Sequence, residues 1–429
     1  MNRRYFSFEI VLVSPLSLSS GLSENTDSDV LLDSRGKPYI PATSIAGVLA
    51  SKLDKLDKPD SEKVNKERLY GKISPDGDNV KSHVIFYDAE YMEETEPIIS
   101  VRDSVALEDK VGVDGAKFDF EIVEPGVRFK AYIELDDSVS EDDEKLFLDQ
   151  LSSLDCGVLR FGHKTTRGYG QVKLENVRKK AFENVGDWLK FDMYKESCWA
   201  GAEEIKLSDK SADNDIIELE LSLKSALSIR SYMTDVAADG EPTAPDYKYL
   251  SLRNGKPVIP GTTWAGVFRD AVARLMTVAR LQEVKKMTDG KICELFGYVE
   301  QGTKNTQKSK ITFSESIFKD GNSEEKLVTR NSIDRFSAAT NDGALYTELT
   351  IYGGKTSFTV TLPKNTDDEM KTALLAAFAD LDNGFVAVGG LTAVGRGIFE
   401  IDSIKLNGDD MTDRFKAYDF KDFFGGEQK

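Results

Sequence analysis

GKPYIPATSIAGVL at 36–49 returns as GKPVIPGTTWAGVF at 255–268, an offset of 219 (255 − 36). Self-similarity of this length marks a duplicated unit, and a repeat that is missed makes the whole fold misread. Working outward from this pair, five further blocks recur in the same order. SPLSLS (14–19) matches SALSIR (225–230), and SHVIFYDA (82–89) matches SKITFSES (309–316). RDSVALEDKVGVDGAKF (102–118) matches RNSIDRFSAATNDGALY (330–346), with an Asp-Gly-Ala triplet in register at Asp114 and Asp342. FKAYIEL (129–135) answers FTVTLPK (358–364). FGHKTTRGYGQVKL (161–174) answers GGLTAVGRGIFEI (389–401), aligning Gly168 with Gly395 and Gly170 with Gly397.

The blocks with period-two alternation predict strands. After the proline of each IPxT block, Thr43 or Thr262 is placed to cap an amphipathic helix, because a hydroxyl there satisfies free backbone N–H groups. A second helix is predicted over 140–157 and 366–384. Both segments open with acids, which suit the positive end of a helix, and both close on glycine. The order is strand, helix, strand, strand, helix, strand, twice over. The expectation is an α+β protein of two tandem ferredoxin-like domains, βαββαβ as in RNA-recognition domains, each a four-stranded sheet with two helices on one face. The predicted boundaries are 1–185 for the first domain, 186–215 for an aromatic-rich connector, and 216–429 for the second. The stretches 102–118 and 330–346 are long polar loops inserted in the fold, of the kind kept for binding or left disordered.

With 429 residues, 40% of them hydrophobic, the chain is long enough for two cores at roughly 100 to 200 residues each. No segment reaches about 18 uninterrupted apolar residues, so a soluble, cytoplasmic protein without membrane contact is expected. Cys156, Cys198 and Cys293 stand singly and form neither a disulfide framework nor a CxxC zinc pair. The only histidines are His83 and His163, which removes histidine acid–base chemistry from the second half. A net charge of −18 argues against a polyanionic partner. The stretch 156–180 runs the other way: Arg160, Lys164, Arg167, Lys173, Arg178, Lys179 and Lys180 stand against Glu175 alone.

The IPxT block opening the first helix, the SIDR-type segment at 332–335 and the glycine-rich loop before the last strand resemble the RAMP superfamily of CRISPR-associated proteins. The resemblance spans nearly the whole chain. The SIDR…DGALY stretch and the acidic loop before each IPxT block are similar to the backbone subunits of the Csm and Cmr complexes, and two such units in one chain look like a type III-D tandem subunit. The resemblance implies a subunit that holds guide crRNA along a palm, displaces bases with a thumb, and cleaves the complementary target RNA within a complex of other type III subunits. It further implies a catalytic aspartate in the loop after the first strand. Counting six positions back from the turn before the IPxT block gives Asp27 (33 − 6) and Asp246 (252 − 6), themselves 219 apart.

The chemistry is compatible with so few residues. RNA carries its own nucleophile, the 2′-hydroxyl, and Mg2+ commonly takes only one or two protein carboxylates plus phosphate oxygens. Asp27 and Asp246 are the candidate metal ligands as well as the candidate catalytic groups. A lone aspartate in such a loop is more often a turn-former, and Asp29 and Asp33 are the alternatives in the first loop. Asp235, Asp239 and Glu241 precede Asp246 but fall out of register. Candidate RNA contacts are Arg35, Lys37, Arg160, His163, Lys164 and Arg167 in the first repeat, and Arg253, Lys256 and Arg396 in the second. Tyr39, Tyr169, Tyr247 and Trp264 are possible stacking residues, although Trp264 on a helix face reads more readily as core. Base wedges would lie at Val111 or Val113 and at Ala339 or Thr340. Two rival readings stand beside a nuclease: an architectural guide-binding subunit with inert acidic loops, and a guide-processing ribonuclease, which would lean on histidine.

Overall fold

The computed structural model describes residues 2–21, 23–54, 66–72, 77, 79–92, 99–108, 111–209, 214–231, 245–278, 290–299, 306–319, 321, 323–341, 343–420 and 423–424. The side chains of Val111, Val113 and Asp114, and all of Asp235, Asp239, Glu241 and Asp342, lie outside the described residues. Two compact units emerge, one of residues 1–165 with 169–212, the other of 166–168 with 213–429.

The first unit runs β1 (Arg3–Leu12), α1 (Ala42–Asp54), β2 (Val84–Phe86), β3 (Ile99–Glu108), β4 (Val111–Val123), β5 (Arg128–Leu135), α2 (Glu141–Asp155) and β6 (Val172–Phe182). Its sheet is ordered β2-β5-β1-β6 and antiparallel at each of these pairings, with Phe6 opposite Ile133 and Phe8 opposite Ala131. Strand periodicity puts Phe6, Phe8 and Ile10 on one face, where they meet Ile45 and Leu49 of α1 and Phe147 and Leu151 of α2 in a single core. The opposite face is also covered. Residues 184–204 fold back so that Trp199, Trp188 and Phe191 pack with Tyr5 and Tyr132, and the Trp188 indole donates to the Tyr5 hydroxyl at 2.9 Å.

The second unit repeats the plan with β7 (Asn214–Leu223), α3 (Gly261–Val278), β8 (Thr312–Phe313), β9 (Glu324–Arg330), β10 (Tyr346–Tyr352), β11 (Lys355–Pro363), α4 (Asp368–Asp382) and β12 (Phe399–Leu406). The sheet order β8-β11-β7-β12 matches that of the first unit. Trp264 of α3 is fully buried and stacks on Phe358 at 4.3 Å between ring centroids, so it is core. The far face of this sheet is polar: Glu218 and Glu220 are exposed, and Lys319 pairs with Glu220 at 2.9 Å.

Three details depart from expectation. The first helices begin at Ala42 and Gly261, which puts Thr43 and Thr262 inside the opening turn. In α1 the Ala42 N–H is satisfied instead by Asp88 Oδ1 at 2.7 Å, a partner 46 residues away that local sequence does not announce. The insertion at 102–118 is not a loop: β3 and β4 form a paired hairpin from Ile99 opposite Val123 outward. In the second unit the ladder stops at Arg330 opposite Tyr346. Beyond it, the carboxylate of Asp334 accepts backbone N–H groups from Phe336 and Ser337 at 3.0 and 2.7 Å, folding a turn instead of a strand. Among the described residues no helix is long and apolar enough to cross a membrane.

Candidate nucleic-acid interface

The loop after β1 is built around Asp29. Its carboxylate accepts backbone N–H groups from Glu24 (2.7 Å), Asn25 (3.1 Å) and Thr26 (2.8 Å), and the Thr26 hydroxyl at 2.8 Å. Burial pushes this carboxyl up, but the four hydrogen bonds outweigh it and hold the group at about 2. Asp33 is engaged in the same way by the Lys37 and Arg35 backbone N–H groups and the Arg35 side chain, which keep its carboxyl below the usual range. Both alternatives to Asp27 are therefore occupied as turn-formers.

Asp27 is exposed. Its N–H donates to Asp119 Oδ1 at 3.0 Å, and its own Oδ2 accepts the Asp119 N–H at 3.0 Å. Asp246, also exposed, donates its N–H to the Thr347 carbonyl at 2.8 Å and accepts the Thr347 N–H at 2.6 Å. Asp119 and Thr347 follow the aligned Phe118 and Tyr346, so each aspartate is tied to the same place on the strand leaving the thumb. In both, Oδ1 has no hydrogen-bond partner among the described residues.

Among the described residues no group of three or more His, Cys, Asp and Glu gathers into a metal site. The first loop offers two facing carboxylates, Asp27 and Asp119, and the second offers Asp246 beside a threonine. Such sparse sets suit a hard cation that keeps its waters and is completed by phosphate oxygens better than a permanently caged ion.

Four residues of the predicted basic strip are engaged by neighbouring acids or carbonyls. Lys173 pairs with Asp155 at 2.7 Å, Arg178 with Glu196, and Lys179 with Glu144, while Lys180 donates to the carbonyls of Cys198 and Ala200. Arg160 is partly buried, donates to the Gly157 carbonyl at 3.1 Å, and has its pKa lowered to about 10 by burial. His163 and Arg167 are exposed in the glycine-rich loop, and the Lys164 ammonium lies over the Phe118 and Phe120 rings. Arg35 and Arg253 are exposed beside the turns before the first helices, with Lys37 and Lys256 half-buried next to them. Lys37 lies 5.4 Å from the Tyr91 ring. Tyr39 and Tyr247 are half-exposed, whereas Tyr169 is buried.

One expectation about the glycine-rich loops is corrected. Arg396 does not face outward: it is 2% exposed, with its guanidinium on the buried carboxylate of Glu348. The backbone N–H groups of His163, Gly170, Gly390 and Gly397 are not free for phosphate, because they donate to the carbonyls of Ser17, Pro15, Ser228 and Ala226. Gly170 and Gly397 are glycines for packing reasons. Both have positive φ, and a Cβ there would meet the Phe161 or Val388 carbonyl oxygen at 1.8 or 1.9 Å.

Other residues come forward only in the structure. Asp119 faces Asp27. Phe336 is fully exposed on the second thumb, three residues before the predicted wedge position Ala339. Arg230 and Arg330 lie 3.9 and 3.7 Å from the carboxylate of Glu348 that Arg396 also meets. Arg330 could have been picked out from the aligned RNSIDR block, but the partner that gives it a role is not adjacent in sequence.

The family model described as the RAMP superfamily matches this chain twice, over residues 9–173 and 220–400. A search of curated proteins returns no match.

Proposed function

The chain belongs to the RAMP superfamily of CRISPR-associated proteins, and from that premise we propose that it is a crRNA-binding backbone subunit of a type III effector complex which cuts guide-paired target RNA at one aspartate per repeat. The observation that carries this reading is the equivalence of Asp27 and Asp246: both are exposed, both are anchored to the strand leaving the thumb, and both keep one carboxylate oxygen unengaged among the described residues. The resemblance to Csm and Cmr backbone subunits supplies the substrate, and two repeats in one chain supply the tandem form.

Cleavage of this kind is a transesterification. The 2′-oxygen attacks the adjacent phosphorus, its proton passes to a carboxylate or water, and the 5′-oxygen leaves with a proton, giving a cyclic phosphate and a free 5′-hydroxyl. In this reading the unengaged Oδ1 of Asp27 or Asp246 accepts or relays the first proton, and what supports it is the backbone tie at Oδ2, which restrains the carboxylate. Magnesium, held by Asp27 with Asp119 beside it and by Asp246, would supply positive charge for the phosphate oxygens. Arg35, Lys37, Arg253 and Lys256 near the helix openings, with His163, Lys164 and Arg167, are the residues we assign to the RNA backbone. Base pairing to the guide would carry sequence specificity, with the protein reading shape and phosphate. The proposed setting is the cytoplasm, among other subunits of the complex.

A specific observation favours an architectural reading: the same backbone ties that orient the two aspartates are what a purely structural turn would use. The deciding measurement is magnesium-dependent cleavage of end-labelled RNA complementary to the guide, with assembled complex carrying wild type, Asp27→Ala, Asp246→Ala or both. Each single change is expected to lower one distinct cut by about 100-fold or more, and the double to lower both. Identical cuts from all four proteins would leave the subunit architectural.

A further inference from the structure

We propose that the second repeat holds a phosphate-binding site that the first lacks, formed by Arg230 and Arg330 at its open edge with Arg396 and Glu348 beneath, and that it seats one phosphodiester of RNA beside Asp246. In naming RNA as the source of the phosphate, the proposal rests on the RNA-binding reading above.

Charge is the first argument. Three guanidiniums converge on one carboxylate that is 3% exposed, two more than it can neutralise (3 − 1). Arginine does not shed its proton to relieve the repulsion, so an anion is the natural complement. Unmet hydrogen bonding is the second. Nε and Nη1 of buried Arg396, Nε of Arg230 and the hydroxyl of Ser228, itself 5% exposed, have no hydrogen-bond partner among the described residues. Buried donors left unmet are costly and mark a cluster short of acceptors beneath the open edge, where a phosphate offers its oxygens and its charge to the exposed arms of Arg230 and Arg330.

Access and placement follow from the same elements. Arg230 and Arg330 keep 28% and 32% of their side chains exposed, whereas Arg396 keeps 3%. The hollow beside Arg230 and Glu348 has a volume of only about 10 Å3, room for a single water, so the phosphate sits on the open edge and not within. The guanidinium of Arg230 lies 4.5 Å from the Tyr247 ring centre, and Tyr247 pairs with Glu348 across the strands. Asp246 bonds to Thr347, the neighbour of Glu348, which brings the site to the proposed reaction centre. In the first repeat the aligned positions hold Ser19, Arg102, Tyr169 and Phe120, with Phe120 and Tyr169 in ring contact at 6.1 Å, so one arginine stands where the second repeat has three.

The test uses the full chain and two probes. Binding of a fluorescein-labelled single-stranded RNA is titrated against salt for wild type, for Arg230→Ala with Arg330→Ala, and for the corresponding double lysine variant. Thermal unfolding of each is followed with and without inorganic pyrophosphate. The alanine pair is expected to raise Kd about 10-fold near 0.1 M salt and to flatten the log–log salt slope by about 1 to 2, with most of both recovered by lysine. An unchanged Kd and slope in the alanine pair would overturn the proposal. If wild type binds no RNA, the RNA-binding reading falls on its own and pyrophosphate decides: stabilisation of wild type but not of the alanine pair upholds the anion site, and equal behaviour overturns it.

Discussion

Where the first repeat sets Phe120 against Tyr169, the second sets Glu348 against Arg396, in the same two places of the same fold. The surroundings follow suit. Phe120, Tyr169 and Ile122 make a small apolar cluster, whereas Glu348 collects Arg230 and Arg330 as well. The scaffold tolerates either because both solutions fill the space between the strand leaving the thumb and the glycine-rich loop, and the close glycine contacts at Gly170 and Gly397 hold that loop independently of what it packs on. The pair nonetheless differs in what it offers a ligand. One repeat presents two facing carboxylates, Asp27 and Asp119, over an apolar cluster; the other presents a single carboxylate, Asp246, over an arginine cluster. Duplication has kept the frame and let the electrostatics around the two acidic loops diverge.

The largest effect that would test this contrast is at Glu348. Replacing it by alanine leaves the Arg396 charge buried without its partner, and breaking a buried pair in this way costs about 3–5 kcal/mol, read as a lowered urea midpoint. The double change Glu348→Phe with Arg396→Tyr writes the first repeat's pair into the second, and it is expected to recover most of that loss, since an apolar replacement of a buried ion pair is often neutral or better. If the double variant is no more stable than Glu348→Ala, the two solutions are not interchangeable and the comparison fails.

Most of the frame was readable from the chain alone because it rests on local signals. The repeat offset, the strand alternation, the acidic openings of the second helices and the glycine stops each leave a pattern within a few residues, and the strand–helix order followed from them. The candidate site was less readable because its parts are defined by partners far away. Lys173, Arg178 and Lys179 looked like a basic strip until Asp155, Glu196 and Glu144 were brought beside them. Arg396 was a candidate RNA contact, yet Glu348, 48 residues earlier, draws it inside. The register of Asp27 and Asp246 was visible as a shared offset; their anchoring to Asp119 and Thr347 was not.

A smaller effect sharpens the comparison at the second helices. In α2, Ser140 and Asp143 form a reciprocal capping box: the Ser140 hydroxyl accepts the Asp143 N–H at 3.2 Å and the Asp143 carboxylate accepts the Ser140 N–H at 3.3 Å. In α4, Asp367 caps alone, accepting the Glu369 N–H at 2.9 Å, and Lys291 pairs with it at 3.0 Å. Ser140→Ala is expected to cost about 1 kcal/mol at any salt concentration. Asp367→Ala should cost a similar amount at low salt and less at high salt, because its exposed ion pair with Lys291 is screened. Equal salt dependence in the two variants would remove the distinction.

The smallest effect lies in acid. Asp29 is held at about 2 in the folded chain, against roughly 3.9 for an unperturbed aspartate, and its aligned position in the second repeat is Lys248, where no such cage exists. A carboxylate whose folded pKa is depressed contributes stability that is fully present above the unfolded value and is lost as pH falls through the folded one. The stability difference between wild type and Asp29→Asn should therefore be constant from neutral pH to about 5, shrink from about 4 downward, and level off near 2. Urea midpoints of the two proteins across that range measure it. If the Asp29→Asn difference stays flat down to pH 2, the four hydrogen bonds do not select the charged form, and the loop carrying Asp27 is held by backbone geometry alone.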